Sequence, residues 1–309
     1  MKEKMNPEKE ANKVLVFPEI DTNIYHRKFL DIPYANDSEY QKLDLYLPDD
    51  GNEPFPLIVF IHGGGFQKGD KRDIQVEGFM KLLKSNYAVA SINYRLSFEA
   101  LFPACIYDCK AAIRYLRAHA ATFQIDQKRI TAAGDSAGAH LALLVATTGG
   151  KPILEDLSMG NPEQSSDVNC AVALCPSTNF LTLFSQSEEN EKRGIINLSN
   201  NSRDGDDPNS PEALFLGGAL NSLDKDHIMR ASPVAYISEK MPAVLLQHGQ
   251  IDYIVPCQQS VEFFEKAKTI AGEERVELDV FEGALHMDPQ FQTEQNMERI
   301  RQFIAKHTV

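Results

Sequence analysis

The sequence lacks several features that would assign it to a class of protein at once. No apolar run is long enough to cross a bilayer, and the highly charged N-terminus lacks the apolar core of a signal peptide. No basic cluster stands out in a chain of 309 residues with a net charge of −13. These absences argue against a membrane or nucleic-acid partner, and they predict a cytoplasmic location.

Cysteine is scarce, and its spacing matches no metal-binding pattern. There are five cysteines, and no two of them form a C-x-x-C pair. Two lie four residues apart in a predicted helix, two lie in a predicted buried strand and one stands alone: Cys105, Cys109, Cys170, Cys175 and Cys257. We therefore expect reduced thiols that pack in the core, and no metal site.

The sequence does contain a regular alternation of predicted strands and helices. Hydrophobic residues make up 43% of the chain, which is enough for the core of one large domain spanning 1–309. After an antiparallel start, the alternation predicts an α/β fold with a mostly parallel, doubly wound sheet. Strands are expected at 25–29, 42–47, 57–61, 87–92, 128–133, 169–175, 243–248 and 276–281, and helices at 76–84, 103–120, 137–146, 257–272 and 292–306.

Two segments interrupt this alternation. Residues 1–20 are expected to form a loosely held arm. Residues 177–226 contain a long polar stretch, 188–211, and are predicted to be an insertion with short helices around Leu181 and Leu214. We expect this insertion to cap the site described next; a disordered surface loop is the alternative.

One short motif organises the functional argument. Gly134-Asp135-Ser136-Ala137-Gly138 fits the Gly-x-Ser-x-Gly pattern of a nucleophile elbow, a sharp turn that exposes a serine hydroxyl at the end of a strand. The preceding residues are strand-like and the following ones are small and apolar, as in a helix buried against a sheet. This context predicts Ser136 as a nucleophile; a glycine-rich turn with a capping serine is the alternative.

A serine nucleophile needs a base and an acid, which in this type of fold follow it in the order acid, then histidine. His286 lies in a loop just past the last predicted strand, and Asp252 follows the strand at 243–248. They are the predicted base and acid, with a turn-capping role as the alternative for Asp252. Glu282 is the second candidate acid, but it is too close in sequence to reach His286 comfortably.

The remaining histidines and the oxyanion donors follow from the same scheme. The loop His62-Gly63-Gly64-Gly65 follows a predicted buried strand, so Gly64 and Gly65, together with Ala137, are expected to present backbone N–H groups to an oxyanion. A merely flexible loop is the alternative. Structural roles are expected for other polar residues: His62 locks the glycine loop, His140 packs in the core, His248 supports a turn, Asp135 makes hydrogen bonds, and Arg95 pairs with Asp108.

From about Tyr40 to the C-terminus, the chain resembles the α/β-hydrolase superfamily. Within it, the chain is similar to esterases and lipases with a His-Gly-Gly-Gly loop, the hormone-sensitive-lipase-like group, and most of all to acetyl-xylan and feruloyl esterases of the BD-FAE type. The resemblance implies an eight-stranded, mostly parallel sheet with helices on both faces. The matching stretches are 43–48, 59–66, 93–96, 134–138, 231–234 and 248–252.

The chain departs from these relatives at four positions near its motifs, which bears on the pocket rather than the triad. Ala139 and His140 stand where many relatives have Gly and Asn, Gln250 stands where an acid is frequent, and Met287 stands where Gly is common. The insertion matches no substrate signature.

The resemblance and the motifs together imply a serine carboxylic-ester hydrolase. The expected substrates are short-chain acyl esters or acetyl and feruloyl esters of carbohydrates, with an acylated oligosaccharide as one possible partner. No cofactor and no metal are required by this chemistry. An amide hydrolase that uses the same three residues is the alternative, and a non-catalytic binding protein of the same fold is a third hypothesis.

Overall fold

A single sheet dominates the molecule. The computed structural model describes residues 17–197 and 204–308. Within these residues the strands are β1 (Lys28–Pro33), β2 (Lys42–Tyr46), β3 (Phe55–Ile61), β4 (Ala88–Ile92), β5 (Ile125–Asp135), β6 (Cys170–Leu174), β7 (Ala243–Gly249) and β8 (Val276–Phe281). Their order in the sheet is β1-β2-β4-β3-β5-β6-β7-β8. Strand β2 runs antiparallel to both of its neighbours, and the other pairs are parallel. The predicted mostly parallel, eight-stranded sheet is confirmed.

Helices cover both faces of this sheet. They are α1 (Glu77–Met80), α2 (Ala104–Ala118), α3 (Ala120–Phe123), α4 (Ala137–Thr148), α5 (Phe180–Lys192), α6 (Pro211–Leu216), α7 (Lys225–Arg230), α8 (Gln258–Ala271) and α9 (Glu294–His307). Alternate residues of β3 face opposite layers, so the strand reads as a continuous apolar run. Leu57, Val59 and Ile61 belong to a core cluster shared with α2, α4 and α8, whereas Ile58 and Phe60 belong to a second cluster shared with α1 and α9. No helix among the described residues is long and apolar enough to cross a membrane.

The first predicted strand and the first predicted helix differ from the structure. The first strand is predicted at 25–29 but lies at Lys28–Pro33, because pairing with β2 decides its position. This pairing is interrupted at Asp31, which has a φ of 55°. The helix expected at 76–84 is one α-helical turn between two 3₁₀ turns. This segment ends at Asn86, whose left-handed φ of 63° stops the helix. Helices α2, α4, α8 and α9 match their predicted positions closely, because each carries a wide apolar face.

The arm and the insertion make defined contacts where they are described. Residues 1–16 of the expected arm lie outside the described residues, but Ile20 is buried and its N–H donates to the carbonyl of Arg72. The insertion contains α5, longer than the short helix expected there, and α6; residues 198–203 lie outside the described residues. Phe180 of α5 and Phe215 of α6 are both buried. These two rings anchor the insertion to the domain.

Candidate active site

The turn between β5 and α4 holds Ser136 in a strained backbone conformation. Its φ is 51° and its ψ is −118°, a combination that a non-glycine residue adopts only when its surroundings enforce it. A Cβ atom on Gly138 would lie 2.0 Å from the carbonyl oxygen of Ile61, and one on Gly134 would lie 2.5 Å from Gly138. Side chains at either position would therefore push the turn apart, which explains the glycines that flank the serine.

Three side chains from distant parts of the sequence form one hydrogen-bonded chain at this turn. The Oγ atom of Ser136 lies 3.0 Å from Nε2 of His286, although 150 residues separate them. On the other side of the ring, Nδ1 of His286 lies 2.6 Å from Oδ2 of Asp252. Asp252 is fully buried and the side chain of His286 is 10% exposed. The structure thus brings together the three residues that the sequence nominated, whereas Glu282 is exposed.

Asp252 is held as an anion in a buried place. Its Oδ1 atom accepts hydrogen bonds from the N–H groups of Ile254 and Val255, at 2.8 and 2.9 Å. Burial alone raises the pKa of this carboxyl, but the imidazoles of His286 and His248 more than offset burial and hold the pKa below its usual range. A carboxylate fixed in this way can orient a histidine ring and stabilise its protonated form.

The thiol of Cys175, for which only core packing is expected from the sequence, also borders this group. The ligand atoms of Cys175, Asp252 and His286 lie within 4.8 Å of one another, which makes them a possible metal-binding group among the described residues. Burial, reinforced by the charge of Asp252, raises the pKa of the Cys175 thiol well above its ordinary value. A thiol must lose its proton to bind a metal ion, so this environment disfavours the cluster as a metal site.

The glycine loop after β3 lies directly beside the serine. A Cβ atom on Gly63 would be 3.2 Å from the Cβ atom of Ser136. Gly64 and Gly65 have φ angles of 112° and 64°, and a Cβ atom on Gly64 would lie 2.1 Å from the carbonyl oxygen of Lys68. Only glycine fits such a turn without strain. The loop therefore brings bare backbone next to the nucleophile.

Three backbone amides in this region are free to bind a ligand. Within 17–197 and 204–308, the N–H groups of Gly64, Gly65 and Ala137 have no hydrogen-bond acceptor. Ala137 begins α4, where the N-terminal partial positive charge of the helix adds to its N–H. These amides could stabilise a negative oxygen that develops beside Ser136.

His62 fixes the glycine loop from within, as its position in the sequence suggested. Its Nδ1 atom donates to the carbonyl oxygen of Gly63 at 2.8 Å, and its ring stacks on Tyr94 with centroids 4.5 Å apart. Burial lowers the pKa of His62 to about 4, so the ring is neutral near pH 7. The Gly63 N–H donates in turn to Oε1 of Gln75 at 2.8 Å, which leaves the next two amides as the free ones.

Asp135 lies in an unusual environment for a carboxyl group. The carboxyl is buried beside the nucleophile, with the backbone of Gly63 against it, but its Oδ1 atom has no hydrogen-bond partner among the described residues. Burial raises the pKa of Asp135 to about 7, although the neighbouring His286 acts in the opposite direction. Backbone hydrogen bonds from Gly63 and from Asp135 itself also lower this pKa, in line with the structural hydrogen bonds expected of the residue.

Aromatic rings join the insertion to the glycine loop. Phe66, directly after Gly65, stacks on Phe215 of α6 with ring centroids 3.9 Å apart. A Cβ atom on Gly65 would lie 3.4 Å from Pro211, the first residue of α6. Nothing in the sequence pattern pointed to these contacts, because they join segments about 150 residues apart that share no periodicity. The insertion thus packs against the loop that carries the free amides.

Two further expectations for polar residues are confirmed. His140 is buried in α4, where its Nδ1 atom bonds to the carbonyl of Ser177 at 2.9 Å and its ring stacks on Phe180 at 4.8 Å. Arg95 and Asp108 form an ion pair with Nη2 and Oδ1 2.8 Å apart. Both contacts are structural, since among the described residues neither side chain is hydrogen-bonded to the side chains of Ser136, His286 or Asp252.

Comparison with known proteins assigns this geometry to a family. The family model described as BD-FAE matches residues 43–267, well over half of the chain. The chain belongs to the BD-FAE family. The matched range includes Ser136 and Asp252 but ends before His286, so the position of His286 in the site rests on the structure alone.

Relatives of this BD-FAE member include named esterases. A truncated carbohydrate esterase from gut microbiota superposes with a TM-score of 0.79 at 25% identity, covering 94% of this chain and 99% of that one. A bifunctional GH43-CE protein of Bacteroides eggerthii gives 0.77 at 30% identity, covering 91% and 35%. Esterase LipQ of Mycobacterium tuberculosis is 28% identical over 77% of this chain and 53% of its own length. The chain spans about half the length of the curated relatives it matches, and its fold is the α/β-hydrolase fold.

Proposed function

We propose that this protein is a serine carboxylic-ester hydrolase that acts through an acyl-enzyme. The observation that supports this most strongly is the unbroken hydrogen-bonded chain from Ser136 through His286 to Asp252 at a strained elbow. A serine hydroxyl is a weak nucleophile at neutral pH, and this arrangement supplies the base and the orienting carboxylate that it needs.

The reaction follows from the positions of these groups. Ser136 Oγ attacks the ester carbonyl carbon while His286 Nε2 takes the hydroxyl proton, and Asp252 stabilises the resulting imidazolium. The N–H groups of Gly64, Gly65 and Ala137 bind the oxyanion of the tetrahedral intermediate. The intermediate expels the alcohol, which receives the proton from His286. Water, deprotonated by His286, then attacks the acyl-enzyme, and collapse of the second intermediate releases the acid and restores the serine.

Short acyl groups, or acetyl and feruloyl groups on carbohydrates, are the proposed substrates. The insertion at 177–226 is proposed to cap the site and shape its pocket, since its Pro211 and Phe215 pack on the glycine loop. The family to which the chain belongs and the solved relatives described as a carbohydrate esterase and a GH43-CE protein support a carbohydrate ester as the natural substrate.

A substrate panel on purified protein tests the proposal. We expect turnover of p-nitrophenyl acetate to exceed that of longer acyl esters, and release of acid from acetylated or feruloylated xylo-oligosaccharides. Aminoacyl p-nitroanilides, the substrates of an amide hydrolase, should be poor. Ser136→Ala should lower kcat by roughly 10⁴-fold to 10⁶-fold, because a triad works as a unit.

The exposed Ser185 offers a matched control, since Ser185→Ala makes the same chemical change on the surface of α5. This control should keep wild-type activity. Full activity in Ser136→Ala would refute the proposed function, and a preference for anilides over esters would favour the amide hydrolase.

A further inference from the structure

A second histidine lies behind the candidate triad, outside the reaction as proposed. His248, at the end of β7, is fully buried. Its Nε2 atom lies 2.9 Å from the carbonyl oxygen of Val255 and 3.2 Å from Oδ2 of Asp252. Its Nδ1 atom lies 2.6 Å from Oγ of Ser260 in α8. The ring therefore touches the triad carboxylate, the loop that carries it and the next helix.

The partners of the His248 ring fix its tautomer. A carbonyl oxygen can only accept, so Nε2 must carry the proton that it shares with Val255. That N–H points at the carbonyl, and the nearby oxygen of Asp252 receives a secondary share of it. In this tautomer Nδ1 accepts a hydrogen bond from the Ser260 hydroxyl. Ser260 thus holds the ring in the orientation that presents its N–H to the carboxylate.

The same ring also controls the other oxygen of Asp252. The N–H groups of Ile254 and Val255 hold Oδ1, and His248 anchors the loop that carries them by binding the carbonyl of Val255. Both carboxylate oxygens thus depend on His248, one directly and one through the loop. Oδ2 is thereby held in the position where it accepts the hydrogen bond from Nδ1 of His286.

We propose that His248 is a positioning residue for the site: together with Ser260 it holds Asp252 in the orientation that orients His286. This inference rests on the proposed ester hydrolysis. The hydrogen-bonded chain then has five members, running from Ser260 through His248, Asp252 and His286 to Ser136. His248 touches neither substrate nor reacting atoms, so it acts only through Asp252.

The titratable groups that face Asp252 come from four elements. They are His248 from β7, His286 from the loop after β8, the thiol of Cys175 after β6, and the thiol of Cys257 before α8. Burial raises the pKa of both thiols, so neither carries charge near pH 7. Removing the His248 donor leaves the carboxylate less stabilised, and the Asp252–His286 pair then binds a proton more tightly.

The test is His248→Phe, which keeps a ring of similar size but removes its N–H. We expect kcat for p-nitrophenyl acetate to fall by roughly 10-fold to 100-fold, with KM unchanged. This is the size of effect typical of residues that orient the side chains binding a catalytic metal, and His248 stands in the same relation to Asp252. The acid limb of the kcat profile should move to higher pH. His248→Gln, whose amide can donate from a similar place, should recover most of the lost kcat and the wild-type limb.

Controls separate this inference from folding and from the proposed function. His119→Phe makes the same change between α2 and α3, where the ring contacts Tyr115 and Phe123, and should alter neither kcat nor the pH profile. If His248→Phe does not fold, Ser260→Ala leaves the ring in place and should shift the acid limb in the same direction by a smaller amount. The inference alone is overturned if Ser136→Ala is inactive while folded His248→Phe or Ser260→Ala keeps the wild-type kcat and the wild-type acid limb. The proposed function itself is overturned if Ser136→Ala is active.

Discussion

The buried carboxyl of Asp135 should make stability depend on pH in a way that one substitution can isolate. Asp135 lies beside the nucleophile with one oxygen unpartnered, and burial raises its pKa from 3.8 to about 7. In the unfolded chain the group ionises near its ordinary value. Asp135→Asn fills nearly the same volume but stays neutral at every pH.

The size of the effect follows from the pKa difference. Because the folded pKa is raised, the folded state binds the proton more tightly, so the stabilisation is complete below pH 3.8 and is lost as pH rises to about 7. Between pH 5 and pH 7 the unfolded chain is ionised while the folded one is still protonated. Each pH unit in this range lowers the free energy of unfolding of the wild type by about 1.36 kcal/mol, so two units lower it by about 3 kcal/mol. The free energy of unfolding of Asp135→Asn does not change in this way, because the amide does not ionise.

Urea denaturation of both proteins at pH 5, 6, 7 and 8 measures this difference. The free energy of unfolding of Asp135→Asn, relative to that of the wild type, should rise by about 3 kcal/mol from pH 5 to pH 8. A pH-independent effect of the amide on stability cancels, because only the change with pH is compared. Asp50→Asn, at an exposed position, should give a curve parallel to the wild type. Parallel curves for Asp135→Asn and the wild type would refute the argument that this carboxyl is buried and protonated.

Three further substitutions probe the frame of the site. Gly138→Ala should cost about 3 kcal/mol in thermal denaturation and abolish ester turnover, because its Cβ atom would lie 2.0 Å from the carbonyl of Ile61; an active, stable variant would contradict the elbow geometry. Arg95→Ala should lower the urea-derived free energy of unfolding by about 3–5 kcal/mol, since it leaves the buried carboxylate of Asp108 without its counter-charge. Phe215→Ala should cost a similar amount by thermal melts and reduce kcat, and an unchanged kcat would argue against its support of the glycine loop.

Most of the candidate site could be predicted from the sequence, because its residues lie in short motifs or directly after predicted strands. The elbow at Ser136 is defined within five residues, and the strand-end positions of Asp252 and His286 follow from the order of the strands. His248 was assigned to a turn, and its contact with Asp252 depends on the loop between them folding back on the ring. No periodicity encodes such a contact.

The same reasoning explains what the sequence could not predict about the fold. Helices α2, α4, α8 and α9 were placed well, because burial of a wide apolar face dominates their position. The first strand and the segment at 76–84 were misplaced, because sheet pairing and a left-handed Asn86 decide their ends. The stacking of Phe66 on Phe215 joins segments about 150 residues apart, and only tertiary packing brings them together.

Covalent labelling can show directly whether Ser136 is the nucleophile. The protein is incubated with diethyl p-nitrophenyl phosphate, which phosphorylates an activated serine, and its intact mass and peptide map are recorded. We expect one added diethylphosphoryl group, located on Ser136, with loss of esterase activity in step with labelling and no adduct on Ser136→Ala. An adduct on another residue, or an unlabelled Ser136 in a protein that still loses activity, would contradict this expectation.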